Sequence, residues 1–472
     1  MTLLESNPTT EPVTVPVPDP VRTGAAIAVL SLAVFMSSLD LFIVNLAFPS
    51  IAAENPTTSI ATLSWVLNGY TVVFAAVMIP AGRWADRVGR RRLFSLGLAV
   101  FTASSALCAL APGVPSLVAA RVLQAAGAGL MVPTSLSLLL AAVAPAARPR
   151  AIGTWAAVGG MAAAFGPVVG GLLVQVDWRW VFWVNVPFGI AALVATPRVL
   201  RESREEHPGA RPDTIGAALL ATSVGLLSLA LVQAPAWGWG SARTTTTLAA
   251  AVLAAAAVAL RSRRHPAPVV ELTLLRSPGL RGASLASLAY YIGFAAFLLN
   301  AVQFLTGVWD YSAVRAGLAI APGPLTVLPF ARVVAPRLAG RIGPARVAAL
   351  GCLVGVGAQL LWWSQVQAEP AYLSALLPAQ ILGGAGVGLV IPSLIGVGTS
   401  TLSAEQFGAG SGVLNTSRQV GLALGVAALV AVLTGVAGNA VDVTKAGALV
   451  SVFGFGLAGL LSLAVSGARR RA

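Results

Sequence analysis

Apolar runs of membrane-crossing length recur along this chain, and no other feature limits its fold so strongly. They lie at about Ala25–Phe48, Leu63–Ala81, Leu93–Ala111, Leu117–Ala142, Ala151–Val174, Val181–Ala195, Ile215–Gln233 and Leu248–Leu260, and then at Leu280–Leu305, Leu318–Ala335, Val347–Trp363, Leu373–Val397, Val413–Leu433 and Ala446–Val465. A helix crosses a bilayer in roughly 20 residues, and in lipid each backbone polar group must find its partner within the segment. The implied fold is an all-α integral membrane protein with about fourteen transmembrane helices. Composition agrees: 57% of the 472 residues are apolar and 10% are charged, against about 25% charged in a soluble domain.

Charge sets the orientation. The stretch Gly82–Arg92, GRWADRVGRRR, places five arginines and Asp86 in a short connection between two apolar runs. Arginine is rarely carried across a membrane, so this connection stays cytoplasmic. The other even-numbered connections hold Arg148 and Arg150, Arg198 to Arg211, Arg261 to Arg264, and Arg337 to Arg346. With an even number of spans, both termini are expected in the cytoplasm. Trp65, Trp178, Trp180, Trp183, Trp237, Trp239, Trp309, Trp362 and Trp363 fall near the opposite ends of the spans, as an interfacial aromatic belt requires. The net charge of +14 therefore reports topology and contact with the lipid bilayer, and no nucleic-acid partner is expected.

An internal repeat divides the chain. GRWADRVGRRR at Gly82–Arg92 returns as PRLAGRIGPAR at Pro336–Arg346, and ARVLQAAGAGLMVP at Ala120–Pro133 returns as AQILGGAGVGLVIP at Ala379–Pro392. Both pairs lie eight spans apart, which two six-helix bundles plus two inserted helices explain. The expected division is a disordered cytoplasmic tail over 1–24, an N-terminal six-helix bundle over 25–197, linkers with the two inserted helices over 198–279, a C-terminal six-helix bundle over 280–467, and a cytoplasmic tail over 468–472. The N-terminal tail lacks the basic region and cleavage site of a signal peptide.

Of sixteen acidic residues, only Asp40 lies well inside an apolar run. A charge at a helix centre costs about 2.5–3.5 kcal/mol on insertion scales, and such residues normally serve ion or proton movement. His207 and His265 lie in cytoplasmic connections, so neither competes as a proton carrier. Arg121 sits in the fourth span, where its repeat partner is Gln380; the repeat keeps the packing glycines and drops the charge. In the fifth span Gly166 and Gly170 have the spacing that lets helices approach closely, Pro167 adds a bend, and Gly171 follows. In the ninth span Tyr290, Gly293, Phe297, Asn300 and Phe304 share one helical face. That face suits an amphipathic organic molecule and equally suits ordinary helix packing. The two cysteines, Cys108 and Cys352, have no metal-ligand neighbours, so no metal, cofactor or disulfide framework is expected.

These motifs carry a family resemblance. Gly82–Arg92 resembles the G-x-x-x-D-R-x-G-R-R connection of the major facilitator superfamily, which implies a conformational latch formed by Gly82, Asp86, Arg87, Gly89 and Arg90. Leu39–Pro49 resembles the first-span motif of drug:proton antiporters, with Phe42 where threonine is usual. RVLQA at Arg121–Ala125 resembles R-x-x-Q-G, with Ala125 replacing glycine. Gly166, Pro167, Gly170 and Gly171 fit the antiporter G-P-x-x-G-G motif. SWVLNGY at Ser64–Tyr70, WRWVFWVNVPFG at Trp178–Gly189 and LNTSRQVG at Leu414–Gly421 are similar to the fourteen-span branch.

The resemblance implies an exporter rather than an enzyme, driven by the proton gradient, with protons and a small amphipathic compound as its partners. Asp40 then binds the proton, and Arg121 modulates its affinity or relays the proton. Asn45, Tyr70, Gln124, Asn415 and Arg418 join the ninth-span face as candidate substrate contacts. An ATP-driven pump is excluded, because the phosphate-binding loop needs Gly-Lys-Ser/Thr and the one lysine, Lys445, precedes Ala446. A lipid or glycolipid flippase on the same scaffold is the alternative. A monomer in the cell membrane is the expected unit. Asp86 is expected to cap the start of the thirteenth span near Ser411, where a helix N-terminus carries partial positive charge.

Overall fold

The computed structural model describes residues 20–144, 148–204, 210–400, 402 and 407–468, so the expected tails and the connections around His207 and Glu405 lie largely outside the described residues. Every described element is helical. The first half holds α1 (Pro20–Glu54), α2 (Ile60–Leu63), α3 (Trp65–Val88), α4 (Arg90–Ala109), α5 (Val114–Ala142), α6 (Arg148–Val176), α7 (Trp180–Trp183) and α8 (Asn185–Val199). After α9 (Thr214–Trp237) and α10 (Ala242–Arg264) come α11 (Pro278–Gly307), α12 (Ala313–Ile320), α13 (Pro322–Pro329) and α14 (Ala335–Ile342). The chain closes with α15 (Pro344–Gln365), α16 (Leu377–Thr399), α17 (Phe407–Gly435) and α18 (Ala440–Ala468). Thirteen helical stretches are long and apolar enough to cross a membrane, counted among the described residues, and α6 adds a shorter one at Phe165–Val176. Val252, Leu253, Leu353, Phe453 and Leu460 stand exposed on the outside. So much apolar surface belongs against lipid, and the chain is a multi-pass membrane protein.

The arginine-rich connection is mostly helix, which corrects the expected loop. Helix α3 continues through Asp86 and Arg87 to Val88, and the turn is Gly89 alone, with φ 114°. Its repeat counterpart Gly343 has φ 84° and separates α14 from α15 in the same way. Left-handed backbone at both positions favours glycine. Asp86 accepts two hydrogen bonds from Arg90 at 3.0 and 2.9 Å; the expected cap on the start of α17 near Ser411 falls largely on residues whose side chains lie outside those described. The first turn of α4 is capped by Glu202, which accepts from Arg91 N at 3.0 Å and Arg92 N at 3.3 Å. Arg83 pairs with Glu271 at 3.5 Å. Thus the connection is held by carboxylates from two distant linkers.

The repeat is visible as packing. A Cβ at Gly127 would strike the backbone of Phe101 and Gly97 on α4, and one at Gly386 would strike Gly351 on α15. Gly129 fits against Val77 of α3, as Gly388 fits against Val327 and Phe330. The second half therefore repeats the α3–α4–α5 contacts with α12–α14, α15 and α16. It is more broken: prolines at 322, 324 and 329 divide the tenth stretch, and a π-helical turn covers Phe330–Val334. Helix α9 joins the halves laterally, where Val224 packs with Val72 of α3 and Ala423 of α17. Asp213 caps α9 through Gly216 N at 2.8 Å and binds Arg261 at the end of α10.

Backbone contact at Gly386 makes a side chain there costly, by about 1–3 kcal/mol for overpacking. Gly386→Val is expected to lower the thermal midpoint of the purified protein by several degrees. Gly383→Val, on the same helix with nothing within 4 Å, is expected to leave it unchanged. Equal midpoints for the two variants would contradict this packing.

Candidate functional site

Asp40 on α1 is completely buried, and its carboxylate is the centre of a polar cluster inside the first half. Oδ2 accepts from Arg121 Nη1 at 2.5 Å, while Oδ1 accepts from Gln124 Nε2 at 2.9 Å and from Asn185 Nδ2 at 3.4 Å. Arg121 and Gln124 lie three residues apart on α5, so both reach the same side of α1. The guanidinium is fixed on three further sides. Its Nη1 also donates to Gln124 Oε1 at 2.7 Å, its Nε donates to the Val66 carbonyl at 3.1 Å, and the Tyr70 ring covers it at 4.1 Å. Ser105 on α4 supports the amides, accepting from Gln124 and Asn185 at 3.1 Å each and donating to the Phe182 carbonyl at 3.0 Å.

Asp40 and Arg121 are thus brought together as the sequence implied; Tyr70 and Gln124, expected as substrate contacts, join the same cluster, while Asn185 and Ser105 were not foreseen. Asn185 had a signal: it is a carboxamide inside an apolar run. Ser105 had none, because serine in a membrane helix usually satisfies itself on its own backbone. Asn45 does not join the cluster; its Nδ2 bonds the Leu41 carbonyl of its own helix at 2.8 Å. The repeat counterpart Gln380 is buried with its Nε2 unpartnered, so the ion pair belongs to one half only.

Three donor groups, from Arg121, Gln124 and Asn185, stabilise the carboxylate in its charged form. Protonation of Oδ2 would replace an acceptor by a donor and leave Arg121 without its counterion, while Oδ1 would remain a carbonyl acceptor for the two amides. The cluster ties α1, α3, α4, α5 and α8 together.

The antiporter glycines serve two contacts. Gly166 and Gly170 face α1, where a Cβ would press on Phe42 and Ile43. Gly171 and the Pro167 carbonyl face α12 of the second half, against the Ala313 backbone and Gly317. Gly171 and Pro167 therefore lie at the interface between the halves, while Gly166 and Gly170 pack within the first half. That contact sits at the end of the molecule opposite Gly89 and Gly343.

The ninth-span face packs inside the second half. Tyr290 lies 5.1 Å from the Phe455 ring of α18, Phe297 and Phe304 lie 6.3 and 5.9 Å from Trp362 of α15, and Asn300 donates to the Thr444 carbonyl at 3.0 Å. The side of α11 that meets open space is one residue out of phase. There Ser287 and Tyr291 line a cavity of about 140 Å³ with Leu394, Asn415 and Arg418. No cluster able to hold a metal ion occurs among the described residues.

This architecture, repeated helical halves with a buried ion pair in one of them, is that of a membrane carrier. Residues 30–426 match the model of the Major Facilitator Superfamily, and the chain belongs to that superfamily, a family of transporters rather than enzymes. It is 34% identical over 412 residues to the tetracenomycin C resistance and export protein of Streptomyces glaucescens, covering 86% of this chain and 75% of that one. It is 32% identical over 449 residues to the methylenomycin A resistance protein of Streptomyces coelicolor, covering 93% and 91%. Among solved structures, the POT family transporter PepTSo superposes with a TM-score of 0.69 at 16% identity, covering 96% of this chain and 98% of that one.

Arg121 spans Asp40 and the Val66 carbonyl with different nitrogens, a geometry that a lysine ammonium does not reproduce. Arg121→Lys keeps the charge but strands a buried acceptor, at a cost of about 1–3 kcal/mol. The variant is expected to unfold measurably earlier in a thermal scan. An unshifted midpoint would contradict the three-point hold on the guanidinium.

Proposed function

We propose that this protein is a proton-coupled antiporter that exports small amphipathic organic compounds across the cell membrane. The observation that carries this reading is Asp40, a fully buried carboxylate whose ligands are Arg121, Gln124 and Asn185. A buried ion pair needs its remaining hydrogen-bonding capacity met, and a carboxylate that must release and regain a proton needs its charged form stabilised; the neutral donors around Asp40 serve both needs. The names of the related proteins, resistance and export, support outward movement of organic compounds.

Fourteen crossings follow when α6 is counted with the thirteen stretches. Residues 25–197 and 280–467 then form the two six-helix halves, and α9 and α10 are the pair inserted between them. With the arginine-rich turns in the cytoplasm, both termini are cytoplasmic and the Gly171–Ala313 contact closes the outer side. In the inward-facing state the proton leaves Asp40 and the pair with Arg121 forms. In the outward-facing state Asp40 takes a proton, the pair is released, and cargo departs. The latch residues Gly82, Asp86, Arg87, Gly89 and Arg90 hold α3 and α4 as one unit during this exchange. A single chain provides both halves, and the proton gradient is the only energy source required.

Asp40→Asn keeps the volume and mimics the protonated state. In proteoliposomes with an imposed pH gradient, the natural chain is expected to accumulate tetracenomycin C or methylenomycin A, the compounds in the relatives' names. Asp40→Asn is expected to equilibrate them without accumulation, a loss of at least ten-fold in the final ratio. Accumulation by Asp40→Asn at the natural level would overturn proton coupling through this residue. Movement of labelled lipid independent of the gradient would favour the flippase alternative.

A further inference from the structure

We propose that the cleft between α11, α16 and α17 binds an acidic group of the exported compound, with Arg418 as its anchor. The inference rests on the reading of the chain as an exporter and adds the chemical class of its cargo. Arg418 lies eleven residues past Phe407 on α17, about 16 Å along the helix, too deep for its side chain to reach the water beyond that end. Its Nε is buried and has no hydrogen-bond partner. Arg121, the other deeply placed arginine, has Asp40; Arg418 has no carboxylate partner among the described residues. A cationic group with a buried, unpartnered N–H and no counterion is costly, so the site is built to gain from an anion.

The surroundings fit that occupant. The Tyr291 ring lies 5.2 Å from the guanidinium carbon, covering a face and leaving the in-plane N–H donors for a ligand. Asn415 stands three residues earlier on the same side of α17, with an exposed carboxamide, and Ser287 adds a hydroxyl opposite. Leu394 supplies an apolar wall. The cavity of about 140 Å³ is close to the volume that accepts one benzene ring. The site therefore holds one acidic head, a carboxylate, enolate or phenolate on a ring, by the bidentate geometry that guanidinium offers to such oxygens. The rest of the compound extends into the space between the halves.

Calorimetric titration of the full chain in lipid nanodiscs tests this with three probes of one shape: 2-naphthoate, 2-naphthamide and (2-naphthylmethyl)ammonium. Naphthoate is expected to bind at least ten-fold more tightly than the amide, and the ammonium most weakly. Arg418→Gln is expected to erase that preference, and Arg418→Lys to keep part of it. Asn415→Ala, at an exposed position, is expected to weaken naphthoate several-fold with an unchanged thermal midpoint. The proposal is overturned if the amide matches naphthoate in the natural chain, if naphthoate gives no binding heat, or if the preference survives in both Arg418→Gln and Asn415→Ala. No gradient is present, so failure of proton coupling and failure of anion recognition are separate results. Anion preference without gradient-driven accumulation would leave this site standing and remove the coupling.

Discussion

The ion pair between Asp40 and Arg121 is the interaction on which the rest of the first half depends. Two charges out of water cost several kcal/mol each unless their remaining hydrogen-bonding capacity is met. Here that requirement recruits α3 through the Val66 carbonyl and the Tyr70 ring, α4 through Ser105, and α8 through Asn185. A pair so enclosed does not loosen at one point. Removing its charge would alter the hold on five helices at once, and on the proposed reading that lets a single proton act on the arrangement of a whole half.

Movement of that kind needs helices that slide as rigid bodies, and glycine contacts supply the close surfaces. Gly127 of α5 against α4 and Gly386 of α16 against α15 let backbones touch at equivalent places in the two halves, while Gly166 and Gly170 bring α6 onto α1. Gly171 and Gly317 do the same between the halves, beside Leu46 of α1. In a membrane, where apolar side chains gain little by leaving lipid, such packing carries much of the association. The linker carboxylates Glu202 and Glu271 then tie the arginine-rich turn to neighbouring segments without stiffening the core.

Much of this was legible in the sequence because a membrane constrains what a residue can mean. A carboxylate and an arginine inside separate apolar runs have to meet, and Asp40 and Arg121 do. The repeated glycines announced the same packing in both halves. The extent of α3 was not legible, because charged residues after an apolar run resemble a loop even where good helix formers continue the helix into water. The partners of the arginine-rich turn were hidden by distance: Glu202 is 111 residues from Arg91 and Glu271 is 188 from Arg83. Periodicity correctly grouped Tyr290, Asn300 and Phe304, but the direction of that face depends on α15 and α18. Tyr291, one position along, faces the cleft instead.

The central claim is that Asp40 exists in two protonation states within the folded protein. Infrared difference spectroscopy of the protein in lipid, stepped across pH, reports the carbonyl stretch of a protonated buried carboxyl group directly. The account predicts a band that grows as pH falls, shifts on isotopic exchange of the proton, and vanishes in Asp40→Asn. It also predicts that the pH at which the band appears changes when Gln124 is replaced by Ala, since one donor to the charged form is lost. A carboxyl band that never titrates, or one that persists unchanged in Asp40→Asn, would contradict the account.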